Sequence, residues 1–103
     1  MTLRVRLPNR RLSESFDFIA QGLTFTATFS RDQTGEVREL FLRNHKASSM
    51  AGINASDASV LWSIARQYDV PAEVLQKSLM RNADGSGAGP LAVCLDLIAE
   101  REP

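Results

Sequence analysis

The chain has 103 residues, the length of one domain with a modest core, and its 44% apolar and 23% charged residues exclude the composition of a disordered segment. Twelve basic and twelve acidic side chains cancel, so no chain-wide field draws it to nucleic acid or an anionic membrane. One cysteine and one histidine exclude an internal disulfide and a zinc site of the usual three or four Cys/His ligands.

The first residues, MTLRVRLPNRRL, form a basic arm over 1–12. Its arginines have no apolar run behind them, which predicts no secretory leader; with no stretch near 20 apolar residues, the expected location is the cytoplasm and no membrane is expected as a partner. The arm holds Arg4, Arg6, Arg10 and Arg11, the first two alternating with Leu3, Val5 and Leu7, a pattern that fits a phosphate-touching tail, an edge strand or a disordered end. Residues 13–103 are expected to form a single domain.

Within that domain the hydrophobic period is first two. Phe16 and Phe18 alternate in FDFIA, and Leu23, Phe25, Ala27 and Phe29 alternate with hydroxyl residues in LTFTATFS. Gln21-Gly22 stands between the two runs where a tight hairpin needs positive φ. RDQTG then supplies a second turn, and EVRELFLR reads as a third strand whose Val37, Leu40 and Leu42 share a face only through a bulge. The expectation is a three-stranded antiparallel meander.

From Asn54 the period becomes helical. Leu61, Ile64, Ala65 and Tyr68 fall at i, i+3, i+4 and i+7, predicting a stripe buried against the sheet, with Asn54 as N-cap and Asp57 in the first turn. Pro71 ends that helix and opens PAEVLQKSLM; RNADGSGAG reads as a flexible connector; Pro90 opens PLAVCLDLIAERE, with Leu91, Cys94, Leu95 and Ile98 on one stripe. Strands first and helices after them predict an α+β fold with two or three helices packed on one face of the sheet.

Few residues suggest chemistry. Gly85, Gly87 and Gly89 precede a helix but lack the Gly-Lys-Ser/Thr ending of a phosphate loop, and Pro90 removes an amide. His45 sits near Ser48 and Ser49, yet nothing local supplies an orienting group or an oxyanion site, so no catalytic residue is assigned. Cys94 lies on an apolar stripe, the place of a buried thiol rather than a reactive one.

In the order of its elements and in particular residues, the span 12–101 resembles the TSCPD domain, found at the C-terminal end of adenosylcobalamin-dependent ribonucleotide reductases and as short stand-alone proteins. NHKASS stands where the family has a Lys-x-Gly-Ser-like loop, and VLWSIARQYDVPAEVLQKSL is similar to its helix, Gly-Val-Pro junction and second helix, with Asp69 replacing the usual glycine. Of the name-giving motif, the stretch Ala92-Val93-Cys94-Leu95-Asp96 keeps Cys94 and Asp96.

The resemblance implies a non-catalytic accessory or regulatory module without a cofactor of its own, whose partner is a ribonucleotide reductase subunit or a nucleotide. The expected binding surface is the loop and helix start holding Asn44, His45, Lys46, Ser48, Ser49 and Asn54. Two alternatives stand beside it. A nucleic-acid module would use the four arginines with Arg43 and Lys46, and a homo-oligomeric scaffold would pair an edge strand, at 3–7 or 37–42, with its copy.

Overall fold

The computed structural model describes residues 13–46 and 48–101. The arm over 1–12, with Arg4, Arg6, Arg10 and Arg11, lies outside the described residues. Three strands, β1 (Ser13–Ala20), β2 (Leu23–Arg31) and β3 (Val37–Asn44), form an antiparallel sheet in the order β1-β2-β3. They are followed by α1 (Met50–Gln67), α2 (Ala72–Ser78) and α3 (Pro90–Glu100). The fold is α+β, as the change of hydrophobic period predicts.

The hairpin between β1 and β2 turns on Gln21 and Gly22, both at positive φ, the backbone that a two-residue connection requires to match strand twist. On one face of the sheet Phe18, Phe25, Phe29, Leu40 and Leu42 are buried, with Phe16 packed at the margin. The expected bulge lies where β2 meets β3: Ser30 pairs with Glu39 and Arg31 with Val37, leaving Arg38 as the extra residue. Helix α3 buries Leu91, Cys94, Leu95 and Ile98 in the same core, so its stripe is the one the sequence marks. None of the helices is long and apolar enough to cross a membrane, among the described residues.

Helix α1 departs from expectation in two ways. It begins at Met50 with Ser49 as N-cap, whose Oγ accepts the Gly52 N–H at 3.1 Å, so Asn54 and Asp57 lie inside the helix and neither starts it. The stripe expected to be buried is turned outward: Leu61 is 67% exposed, and Ile64 and Tyr68 are exposed with it. The buried side carries Gly52, Ala55, Ser59, Trp62, Ser63, Arg66 and Gln67.

The physical reason is what this helix packs against. It runs along the edge of β3, where a strand offers unpaired amides and carbonyls rather than apolar side chains. Ser63 Oγ accepts the Leu40 N–H at 2.8 Å, Ser59 Oγ accepts the Leu42 N–H at 3.1 Å, and Arg66 Nε donates to the Val37 carbonyl at 3.1 Å. A polar helix face satisfies a polar strand edge, while Ala55 and Trp62 turn into the core. The same contacts occupy the margin of 37–42, one of the two edges that the scaffold alternative would use.

The segment 81–89 is likewise not the loose connector expected. Arg81 bridges to Gly87, Asp84 accepts the Ser86 N–H at 2.9 Å, and Arg81 pairs with Asp96 at 2.6 Å. Gly87 sits so close to the first turn of α3 that a Cβ there would lie 2.7 Å from the Val93 nitrogen. In α2, Pro71 holds the N-cap position and the helix ends at Ser78, short of the run to Met80.

Candidate functional site

The loop between β3 and α1 gathers most of the sequence-marked residues but spends their polar groups on structure. Asn44 is buried; its Nδ2 donates to the Thr24 carbonyl at 2.9 Å and its Oδ1 accepts the Lys46 N–H at 3.0 Å. Ser49 caps α1 and donates its own hydroxyl to the Lys46 carbonyl at 2.6 Å. His45, Lys46 and Ser48 are exposed, and among the described residues no hydrogen bond joins His45 to either serine. Asn54, one turn into α1, is displaced from this loop and borders an apolar recess of about 370 Å³ with Leu23, Leu79 and Met80. The loop is a helix start in which Asn44 and Ser49 are engaged in structural hydrogen bonds, while the side chains of His45, Lys46 and Ser48 face solvent.

A second constellation forms where the bulge places Arg38. Its Nε donates to Asp32 Oδ2 and its Nη1 to Asp69 Oδ1, both at 2.8 Å, while Nη1 also reaches the Arg66 carbonyl at 2.7 Å. Burial raises the Asp32 carboxyl, but hydrogen bonds from Thr34, Arg38 and the amides of Thr34 and Glu36 outweigh that and hold it well below its ordinary value. Asp69 stands at φ 70, in the left-handed region, as the first residue past the C-cap of α1. The amide of Val70 reaches the Ala65 carbonyl at 3.0 Å and that of Asp69 the Arg66 carbonyl at 3.1 Å, a Schellman ending that explains why this position suits glycine. Every group in this network is bonded to another, so it reads as a clasp between the β2–β3 turn and the end of α1.

Arg66 is the least expected member. It is 4% exposed, with Nε on the Val37 carbonyl, Nη1 on the Val70 carbonyl and Nη2 on Glu36 Oε2 at 2.7 Å. Beside it lies a cavity of about 300 Å³ between the β2–β3 turn, α1, α2 and α3, lined by Val37, Trp62, Gln76, Leu95, Ile98 and Ala99 among others. Trp62 is 5% exposed, and its Nε1–H has no hydrogen-bond partner among the described residues. A buried donor left unmade costs about 1–3 kcal/mol. No local pattern marks this site, because Trp62 reads as an ordinary core residue and Arg66 as a solvated one.

The remaining sequence-marked groups are structural. Cys94 is fully buried, and burial pushes its thiol up to about 12, with only a weak opposing pull from Arg101. Asp96 is held low by the Arg81 guanidinium, against its own burial, and also accepts from Gln76. Among the described residues there is no group of three or more His, Cys, Asp or Glu placed to hold a metal ion.

The outer face of α1 is the largest feature without a structural role. Met50, Ile53, Val60, Leu61, Ile64 and Tyr68 are all exposed and fall on one side of the helix, around Asn54 and Asp57. Along the seam Asn54, Asp57, Leu61, Ile64 and Tyr68 the spacing is 3, 4, 3 and 4, the repeat with which one helix meets another. No protein-family model, curated protein or solved structure matches the chain.

Proposed function

We propose that the chain is a non-catalytic accessory module that binds another protein through the outer face of α1. One observation carries this reading: the helix is polar where it meets its own domain and apolar where it meets solvent. Burying Leu61, Ile64 and Tyr68 against a partner removes apolar surface at about 25 cal/mol per Å². A catalytic reading has no comparable support, since among the described residues no hydrogen bond joins His45 to Ser48 or Ser49.

The choice of partner rests on the resemblance to the TSCPD domain, and it is a chain of ribonucleotide reductase, with a link to deoxynucleotide supply. Asp57 in the seam favours a partner surface with a lysine or arginine opposite it. The test is capture from a lysate of the source organism by the tagged protein and by its Leu61→Asp, Ile64→Asp variant, with circular dichroism to establish that both are folded. The expected result is a reductase chain retained by the parent and lost by the variant. Retention of its own copy alone, with a doubled mass in light scattering, would replace this reading by the scaffold; retention of nucleic acid would replace it by the arginine arm.

A further inference from the structure

The cavity beside Trp62 lies on the far side of α1 from that docking face and has a chemistry of its own. Its walls are apolar along Val37, Leu95, Ile98 and Ala99. One polar atom on its lining is a buried orphan, and a second, on half-buried Gln76, is an acceptor open to solvent. Trp62 Nε1–H is a buried donor with no partner among the described residues. Gln76 gives its Nε2 to Asp96 Oδ1 at 2.7 Å, and its Oε1 accepts no hydrogen bond among the described residues.

The two charged side chains of the lining, Arg66 and Glu36, answer each other, with each of the three Arg66 nitrogens bonded and its charge met by Glu36. The site therefore offers a donor and an acceptor without an unmatched charge. We propose that this cavity binds a small uncharged molecule of the cyclic-amide class, whose carbonyl oxygen accepts from Trp62 and whose N–H donates to Gln76, with its ring against Leu95 and Ile98. A volume of about 300 Å³ stands at the small end of the range for ligand pockets, which suits one ring and excludes a nucleotide with its phosphates. An anion is disfavoured because Arg66 is neutralised by Glu36, whose side chain belongs to the same lining.

Trp62 is the single tryptophan of the chain, so ¹⁵N-labelled protein gives one indole N–H resonance that reports this cavity alone. Titration with δ-valerolactam is expected to move that resonance along a saturable curve. N-methyl-2-piperidone, which keeps the carbonyl and lacks the N–H, should bind several-fold more weakly. Trp62→Phe should raise the dissociation constant read from the backbone amides of α3 by about tenfold, the loss of one hydrogen bond. Ala99→Leu, which narrows the cavity at its exposed rim and keeps the indole, should weaken the saturable shift even if the phenylalanine variant does not fold. An indole resonance that stays still, or moves linearly without saturation, overturns the proposal and leaves the cavity to solvent.

Discussion

Ser63 and Leu40 face each other across the junction of helix and sheet: the serine Oγ accepts the Leu40 N–H at 2.8 Å and stands 2.9 Å from the Leu40 carbonyl. Its single proton has two acceptors in reach, the Leu40 carbonyl and the Ser59 carbonyl at 2.8 Å, so the bond that the hydroxyl alone supplies to the strand is the one from the Leu40 N–H. Ser63→Ala removes it and leaves the Leu40 N–H unmatched away from water. Loss of about 1–3 kcal/mol is expected in urea denaturation, while Ser56→Ala on the exposed side should stay within about 0.5 kcal/mol. Equal effects would show that the strand edge is satisfied some other way.

Asp32 ties stability to pH. Its folded carboxyl is held below the ordinary 3.8, so the folded state binds fewer protons than the unfolded one. The stabilisation is complete above that ordinary value and is lost as pH falls through the lower folded value. Asp96, also lowered through Arg81, acts with the same sign. Urea midpoints should therefore drop as pH is taken from 5 to about 2, with a shallower slope in Asp32→Asn. Parallel slopes in parent and variant would assign the effect elsewhere.

At Asp69 two terms oppose each other. The left-handed backbone costs a non-glycine residue about 1 kcal/mol, and the ion pair with Arg38, exposed on the aspartate side, returns up to about 1 kcal/mol. Asp69→Gly should leave the melting temperature nearly unchanged. Asp69→Val keeps the strain, adds branching at Cβ and removes the pair, so it should lower stability by about 2 kcal/mol. A glycine variant far below the parent would mean that the Arg38 pair dominates.

On the outer face of α1 the expected outcome is the reverse of a core substitution. Leu61→Ser and Ile64→Ser remove exposed side chains and should change unfolding free energy by less than about 0.5 kcal/mol. They should nevertheless weaken capture of the partner. A large loss of stability would place these side chains in an intramolecular contact.

Much of the scaffold was legible because its signals are local. Alternation in LTFTATFS, the Gln21-Gly22 turn and the stripe on α3 each depend on residues next to one another in the chain. Helix α1 misleads for a physical reason: periodicity reveals that Leu61, Ile64 and Tyr68 share a side, but not whether that side meets the domain or something else. The complementary stripe of Ser59, Ser63, Arg66 and Gln67 was equally periodic, and its hydroxyls at a four-residue interval were the available hint. Nothing local could reveal the cavity at Trp62, because its lining comes from four elements far apart in sequence. The Asp32–Arg38–Asp69 clasp likewise depends on a bulge whose extra residue only pairing with β2 identifies.

Sealing β3 with side chains gives the sheet a polarity of growth. Among the described residues β1 is the remaining margin at which another strand can add, so strand addition proceeds in one direction only. Two copies meeting there would each consume the other's single open margin, and the assembly would close at two rather than lengthen into a fibre. The serines of α1 thereby cap the β3 margin without a charge or a proline being placed in the strand itself.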